Sequence, residues 1–295
     1  MSARHLGLLV LGVVAISFSA VLIREANAPS LTIAFYRNAM AAVILVPLAF
    51  ARHGEEIRSL RRKQIAAGVL SGLFLAAHFA TWIDSLSYTT VAASSVLVVT
   101  QPIWIGLMGK FYGEGVQRAA LGGVALAFVG TLVVFGGDVG SSSRELLGDG
   151  LALAGAVFSA AYFVAGREVR REMSVLTYVS IVYTVCAVVL LAAAVATGSA
   201  LTGFDAKTWW MFVLLTIGPQ IAGHTVFNYL LGHLEAAVVA IAIMAEPVGA
   251  ILLAMVFLNE QPPAASIVGG AFILLGVYVA IRAQARDEVE IAAVD

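Results

Sequence analysis

Residues that could do chemistry inside a membrane occur in this chain as two matched sets. Histidine can exchange protons near neutral pH, proline interrupts the backbone hydrogen bonds of a helix, and glutamate carries a negative charge. The matched pairs are His78 and His224, Pro102 and Pro247, Glu114 and Glu260, Gly123 and Gly269, and Gly130 and Gly276. Their separations are 146, 145, 146, 146 and 146 residues. This near-constant separation predicts two copies of one structural unit.

The composition places those units in a membrane. The chain is 61% hydrophobic and 12% charged, whereas soluble domains average about 25% charged residues. Its mean hydropathy is +0.96. The net charge of -1 provides no basic surface for nucleic acid, and the single cysteine, Cys186, cannot form an internal disulfide. We expect no metal ion and no cofactor, and we expect lipid and a small molecule as the partners.

Apolar segments long enough to cross a bilayer follow one another along the chain. A hydrocarbon core of about 30 Å needs about 20 helical residues. The predicted spans are 6–23, 31–51, 64–83, 85–109, 119–137, 150–166, 174–197, 208–234, 236–257 and 261–281. An odd number of spans in each copy requires the copies to have opposite orientations. The predicted fold is all-α and polytopic, with ten transmembrane helices in two inverted five-helix repeats.

The repeat boundaries follow from polar segments. Residues 138–149 contain a glycine- and serine-rich stretch that is typical of a linker. This gives a first repeat at 1–137, the linker at 138–149, a second repeat at 150–283, and a polar tail at 284–295. With a cytoplasmic amino terminus, thirteen of the Lys and Arg residues fall on the inside and three on the outside. The positive-inside rule therefore predicts that both termini are cytoplasmic.

The paired prolines indicate a central site. A proline cannot donate its backbone hydrogen bond, so Pro102 and Pro247 should free the carbonyls of Val98 and Ile243. Freed carbonyls inside a membrane need another polar partner or a polar cavity. Matching breaks in inverted repeats are typical of transporter binding sites, although each proline alone would be an ordinary kink.

Two residues beside the prolines are candidates for the same cavity. Gln101 precedes Pro102, and Glu246 precedes Pro247. Glu246 could bind a cationic group, carry a proton, or hydrogen-bond a neighbouring helix. An amide in one repeat and a carboxylate in the other would make the cavity asymmetric.

The paired histidines bring further candidates with them. Trp82 lies one helical turn after His78, and Asn228 lies one turn after His224. Each histidine could relay protons or make a structural hydrogen bond. Trp82 and Trp104 could form an aromatic wall, with Trp104 the deeper of the two; Trp82 could instead anchor the helix at the membrane interface.

Arg37 is a charge placed about two turns into the second span. We expect its side chain to extend along the helix to the outer surface, as long basic side chains near helix ends do. A salt bridge or contact with a substrate carboxylate is the alternative. The glycines near Gly123 and Gly269 predict close helix packing, so spans five and ten are assigned to a scaffold or to dimer contacts.

With these residues in view, the chain resembles the drug/metabolite transporter superfamily and its EamA-type exporters. The resemblance rests on Arg37, on Pro102 followed by Gly113-Glu114, and on the glycines and their echo in the second repeat, where Asn259 replaces the glycine before Glu260. The most similar branch is that of the YddG-like amino acid exporters. It implies a central cavity lined by both repeats. Transferred to this chain, that cavity comprises His78, Trp82, Gln101, Trp104, Tyr162, His224, Asn228 and Glu246.

The resemblance implies a secondary transporter that exports amino acids, either aromatic or of a broad range, and related metabolites across a bacterial inner membrane by alternating access. Export of drugs or other metabolites is the alternative within transport, and a channel or a membrane enzyme is the alternative outside it. No His-Glu-x-x-His or Gly-x-Ser-x-Gly motif is present, so we expect no enzyme. The expected assembly is a monomer or a weak homodimer.

Overall fold

The computed structural model describes residues 3–109, 118–138, 142–166, 169–230, 233, 239 and 242–292. The elements of this described part are helical. They are α1 (Ala3–Ser17), α2 (Ser19–Glu25), α3 (Ser30–Arg58), α4 (Arg62–Ser85), α5 (Val91–Val98), α6 (Gln101–Gly109), α7 (Arg118–Asp138), α8 (Ser143–Gly166), α9 (Val169–Glu172), α10 (Val175–Ala196), α11 (Ala206–Leu215), a π-helical segment (Thr216–Thr225), α12 (Val226–Leu230), α13 (Glu246–Phe257) and α14 (Ala264–Ala292).

The helices are built to cross a lipid bilayer. Within the described residues, seven helical segments are long and apolar enough to span it. Three shorter apolar helices there are Leu121–Gly136, Glu246–Phe257 and Ala264–Ala280. Large apolar side chains such as Val43, Phe128 and Val256 point outward with 62% or more of their surface exposed. Such a surface is stable only against hydrocarbon. The all-α polytopic fold is confirmed, while the number of ten spans stays a prediction.

Glycines join the two repeats along helices α7 and α14. A Cβ atom added to Gly123 would lie 2.5 Å from the Gly276 carbonyl oxygen, and one added to Gly130 would lie 2.5 Å from that of Gly269. Only residues without a side chain allow this backbone approach. Gly123, the earlier residue in α7, meets Gly276, the later one in α14, and Gly130 meets the earlier Gly269, so these corresponding helices are antiparallel. The contact is the scaffold expected from the glycine pattern.

Helices α3 and α10 are a second corresponding pair, and they too run antiparallel. At one end, the Thr32 hydroxyl donates to the Ala200 carbonyl oxygen at 2.8 Å. At the other end, the Ser174 amide donates to the Glu56 carboxylate at 2.7 Å. Thus the beginning of α3 meets the end of α10, and the end of α3 meets the beginning of α10. Two antiparallel pairs of corresponding helices establish that the repeats are inverted.

The helix ends gather at two opposite faces. Arg24 and Glu260 form an ion pair at one face, where Arg144 also donates to the Ser87 carbonyl oxygen at 3.1 Å. Arg61 and Glu172 form an ion pair at the other face, next to the end of α3. The start of α8 and the segment after α3 therefore lie on opposite sides, as inverted repeats require.

Helix breaks precede the two paired prolines. The chain turns at Val99 and Thr100, between α5 and α6 and just before Pro102. It turns again at Met244 and Ala245, just before α13, where Pro247 occupies the first turn of the helix. Proline is well tolerated in a first turn because no intrahelical donor is needed there. A third break, at Phe18 between α1 and α2, has no proline and was not expected.

The wide turn at Thr216–Thr225 was also not expected. Pro219 lies inside it and has no amide to donate. In a π-turn, a backbone carbonyl accepts from the amide five residues later rather than four. The helix therefore widens and continues past the proline. The Thr225 hydroxyl supports this turn by donating to the Gln220 carbonyl oxygen at 3.1 Å.

Two segments that were predicted to be non-helical contain helix in the structure. Helix α8 begins at Ser143, inside the predicted linker 138–149, because the Ser142 hydroxyl accepts the Glu145 amide and provides a helix cap. Helix α14 continues to Ala292, so much of the predicted polar tail 284–295 is helical. Lys110, Gly113 and Glu114 lie outside the described residues. The repeat boundaries themselves stay a prediction.

Replacing Gly130 with alanine tests the antiparallel scaffold. The added methyl would meet the backbone of Gly269 and Ile273, so we expect the purified protein in detergent to lose about 1–3 kcal/mol of stability, as in an overpacked core. Gly122→Ala is the matched control, since a Cβ atom there meets nothing within 4 Å. The thermal unfolding midpoint measures both. Equal midpoints for the two variants would contradict the close approach of α7 and α14.

Candidate functional site

An aromatic cluster on α4 lies at the centre of the molecule. The rings of His78 and Trp82 stack with an interplanar angle of 2° and centroids 5.9 Å apart. His78 Nδ1 lies 2.9 Å from the Gly155 carbonyl oxygen on α8. A carbonyl can only accept, so Nδ1 carries the proton and donates it. The Trp82 indole N–H is buried and has no hydrogen-bond partner within the described part of the chain.

Arg37 is buried against this cluster. Its side chain is 0% exposed, and its guanidinium lies over the ring of Phe79, 4.1 Å from the centroid. Nε donates to the Gln220 side-chain oxygen at 2.9 Å, and Nη1 donates to the Ser19 hydroxyl at 3.3 Å. The expectation that Arg37 extends to the outer surface was wrong. The Gln220 oxygen and the Phe79 ring offer the cation a polar environment deep in the protein, so it need not reach water.

Gln220 connects the arginine to the rest of the network. Its amide nitrogen donates to the Asn38 side-chain oxygen at 3.3 Å, while its oxygen accepts from Arg37. The amide therefore has a fixed orientation, because only this one satisfies both neighbours. Nearby, the hydroxyls of Tyr183 and Thr225 are hydrogen-bonded at 3.1 Å. The π-helical segment thus places Gln220 against α3 about two turns from its start.

The second histidine has a different environment from the first. The His224 ring meets the Phe79 ring edge-on, with centroids 5.9 Å apart. Among described residues, its ring nitrogens have no hydrogen-bond partner. Its backbone carbonyl accepts from the Asn228 amide at 2.9 Å, and that amide also donates to the Tyr162 hydroxyl at 3.3 Å. The structure therefore brings His78, Trp82, Tyr162, His224 and Asn228 together around the α4 cluster.

Glu246 begins α13, and its backbone carbonyl oxygen accepts from the Ser17 hydroxyl of α1 at 3.5 Å. Its side chain is partly buried. Its carboxylate has no hydrogen-bond partner in the described chain.

Gln101 and Trp104 lie at the start of α6. The Trp104 indole donates to the Thr100 hydroxyl at 3.2 Å and packs, partly buried, on the apolar cluster that contains Trp82 and Tyr162. Gln101 is partly buried, and within the described residues its side chain forms no hydrogen bond. Trp104 therefore adjoins the central cluster, whereas Gln101 is not joined to it by a polar contact.

Glu260 has a role at one membrane face rather than in the centre. One carboxylate oxygen accepts the Val91 amide at 2.6 Å, and the other pairs with Arg24 at 2.8 Å. Glu260 belongs to the second repeat. Its carboxylate thus caps α5 of the first repeat and connects α5 to α2 through Arg24. This explains why a glutamate occupies this position in the second repeat; its counterpart Glu114 lies outside the described residues.

Gln220 and Asn38 are site residues that the sequence reasoning missed. A glutamine and an asparagine in apolar spans are weak signals alone, and their relation to Arg37 depends on contacts 182 and 183 residues apart in sequence. The useful signal was the cost of a buried charge, which requires polar partners from other helices. Among the described residues, no group of three or more His, Cys, Asp or Glu side chains could hold a metal ion.

Comparison with known proteins gives a consistent family. The model of the EamA-like transporter family matches residues 4–136 and again 146–282. A "probable terminal-alkyne amino-acid exporter" of Streptantibioticus cattleyicolor is 26% identical over 66% of this chain and 65% of its own. A pseudopaline exporter of Pseudomonas aeruginosa is 25% identical over 86% of this chain and 87% of its own. A solved crystal structure matches 95% of this chain and 97% of its own with a TM-score of 0.66 at 20% identity, which shows a shared fold.

Replacing Gln220 with alanine tests the buried network. Arg37 Nε and the Asn38 oxygen would both lose a partner, and each unsatisfied buried group costs about 1–3 kcal/mol. We therefore expect a lower thermal unfolding midpoint in detergent. Gln261→Ala is the control, because Gln261 is exposed outside the helices. If both variants unfold at the same temperature, Gln220 does not support the buried charge.

Proposed function

The chain belongs to the EamA-like transporter family, and we propose that it exports amino acids and related small metabolites by alternating access. The residues proposed to contact the substrate are His78, Trp82, Gln101, Trp104, Tyr162, His224, Asn228 and Glu246. The substrate would occupy the junction between the two repeats. Pro102 and Pro247, with the helix breaks that precede them, would allow the flanking helices to change their packing around it.

The observation that carries this proposal is the composition of that junction. Polar and aromatic groups of both repeats meet there, as in the contacts of Phe79 with His224 and of Arg37 with Gln220. Glu246 and His224 are partly accessible. A purely structural core would bury apolar groups instead, because unpaired polar groups inside a membrane are costly. An aromatic wall with a few polar groups suits molecules that have a charged backbone and varied side chains.

The relatives support the substrate class. One is named as an amino-acid exporter, and another is named as a pseudopaline exporter. The first name favours amino acids, and the second favours a different metabolite as the second candidate. A multiply anionic substrate is disfavoured because Arg37 is the one Lys or Arg residue predicted to lie within a span.

The proposed location is a bacterial inner membrane with both termini in the cytoplasm. This rests on the excess of Lys and Arg at the ends of the helices that share a face with Arg61. The face that carries Arg24 and Glu260 would then be external. A membrane-impermeant thiol reagent applied to intact cells would label a cysteine placed at Arg144 and leave one placed at Arg58 unlabelled.

A transport assay tests the function directly. The purified protein in proteoliposomes is offered a panel of L-amino acids, with and without a pH gradient, and flux is measured against protein-free vesicles. Saturable flux of one or more amino acids supports the proposal. Absence of flux for the whole panel removes the amino acid assignment, and non-saturable flux at much higher rates identifies a channel.

The same assay tests proton coupling. His78, His224 and Glu246 are the proposed proton-carrying groups because they are titratable groups at the repeat junction. If they relay protons, an imposed pH gradient should drive uphill accumulation of the substrate. Accumulation that is unaffected by the gradient would remove the relay and leave facilitated diffusion.

Two substitutions test the proposed wall. Trp104→Ala and Gln101→Ala should change the apparent affinity for a transported amino acid by about 2- to 10-fold, because each removes one contact of ordinary strength. The proteins should remain monodisperse on size exclusion. Trp210→Ala is the control for Trp104, since Trp210 is 64% exposed on the outer surface. Unchanged transport by both variants would exclude these two residues from the site.

A further inference from the structure

Helix α2 is a short segment with polar contacts at both of its ends. At its first residue, the Ser19 hydroxyl accepts from Nη1 of the buried Arg37 at 3.3 Å. Near its last residue, Arg24 pairs with Glu260 at 2.8 Å. Most of the α2 side chains between these two contacts are buried. Helix α2 therefore lies between the central cluster and the face that we propose to be external.

A bend at Phe18 separates α2 from α1. The Ser17 hydroxyl donates back to the Val13 carbonyl oxygen at 2.8 Å, and a contact of this type weakens and bends a helix. At the same point α1 is anchored to α13, since a Cβ atom added to Gly249 would lie only 2.3 Å from the Ser17 hydroxyl oxygen. Hinges form at such element ends, so α2 is the part of this span that can turn beyond a fixed anchor.

The turn after α13 holds Glu260 in place. Its amide donates to the Ala254 carbonyl oxygen at 3.2 Å, and Asn259 adopts a φ of 53°. Asparagine enters this left-handed region more readily than most residues with a side chain, so it can stand where the first repeat has glycine. The fixed turn presents the Glu260 carboxylate to Arg24 and to the Val91 amide together.

The ion pairs of α2 can be exchanged for contacts with water. The side chains of Arg24 and Glu260 keep 33% and 15% of their surface exposed, and a surface depression beside them is lined by both residues and Leu258. A second ion pair, of Glu25 with Lys207 on α11, is also exposed. Exposed ion pairs contribute little to stability because water competes for both charges. The contacts that hold α2 are therefore easily reversed, unlike the backbone contact between α7 and α14.

We propose that α2 is an external gate of the transporter and that Glu260 is its latch. The gate is closed in this structure, because Glu260 joins α2 to the start of α5 through Arg24 and the Val91 amide. To open the external end, α2 would turn about Ser17, and the contacts of Glu260 would pass to water. The inference rests on the proposed function, because alternating access requires that each end of the pathway can open and close.

Cysteine labelling tests the latch without any transport. Val21 lies in the middle of α2 and is buried, so Val21→Cys reports when α2 leaves its place. We expect Glu260→Gln to raise the rate at which a charged thiol reagent labels this cysteine in the purified protein by about 5- to 30-fold, because an ion pair and a helix cap are lost. The parent chain gives the background, since its single cysteine, Cys186, is buried in α10.

Two further variants make the labelling result decisive. Glu172→Gln makes the same change at an ion pair of the opposite face and should leave the labelling of Val21→Cys unchanged. Arg24→Gln covers the case in which Glu260→Gln does not fold; it removes the ion pair and keeps the contact with Val91, so a smaller rise is expected. The latch is overturned if neither change at this ion pair raises the rate, or if Glu172→Gln raises it equally.

A reversible cross-link tests the gate in transport. Arg24→Cys and Glu260→Cys are combined and joined by a short bifunctional thiosulfonate reagent, which would lock α2 to the end of α13. We expect amino acid flux in proteoliposomes to fall by about tenfold or more and to return when a reductant breaks the link. The matched control joins Thr32→Cys to Ala200→Cys, which lie next to each other where α3 begins and α10 ends, and it should retain its flux.

The cross-links also separate the gate from the proposed function. Undiminished flux through the protein that is linked from α2 to α13 would overturn the gate, and so would an equal loss in the control. Failure of the proposed function looks different, because the wild-type protein would then transport no amino acid. The difference in labelling between Glu260→Gln and Glu172→Gln would still be present in that case.

Discussion

The structure depends on one constraint, which is that hydrocarbon offers no hydrogen-bond partners. Backbone groups must therefore be satisfied within helices, and helices associate through close packing and through hydrogen bonds between polar side chains. Gly123, Gly130, Gly269 and Gly276 meet this need by letting two backbones touch where α7 and α14 cross. The antiparallel course of that contact fixes the inverted relation of the two repeats, and the inverted relation brings the interrupted helices to a common centre.

The centre of the molecule contains polar groups, whereas the lipid-facing surface is apolar. Outside it, the helices present apolar side chains such as Val43 and Val256 to the surroundings. Inside it, the guanidinium of the fully buried Arg37 contacts an amide, a hydroxyl and an aromatic ring. Its Nη2 has no hydrogen-bond partner among the described residues. A fold selected only for stability would replace such a group with an apolar one of similar volume. Retaining it is consistent with a role in binding.

The repeats are alike in backbone and different in chemistry. His78 donates to the Gly155 carbonyl and stacks on Trp82, whereas the His224 ring meets only the edge of Phe79 among the described rings. Before the paired prolines, one repeat has an amide at Gln101 and the other has a carboxylate at Glu246. The two sides of the repeat junction therefore differ in their polar groups, although the repeats share one backbone pattern.

The sequence by itself determined the membrane class, the duplication, the family and the positions of the proline-associated breaks. These follow from composition, from local backbone chemistry and from the spacing of matched residues. Composition and backbone chemistry can be read from short stretches of chain, and the duplication can be read from a constant separation. Only the tertiary structure decided where Arg37 points, because the acceptor that holds it lies 183 residues away. It also decided the π-turn's contribution of Gln220, the start of α8 within the predicted linker, and the contact of Glu260 with Val91. Such features depend on which helices become neighbours, and a hydropathy pattern specifies the depth of a side chain in the membrane but not the partner that it meets there.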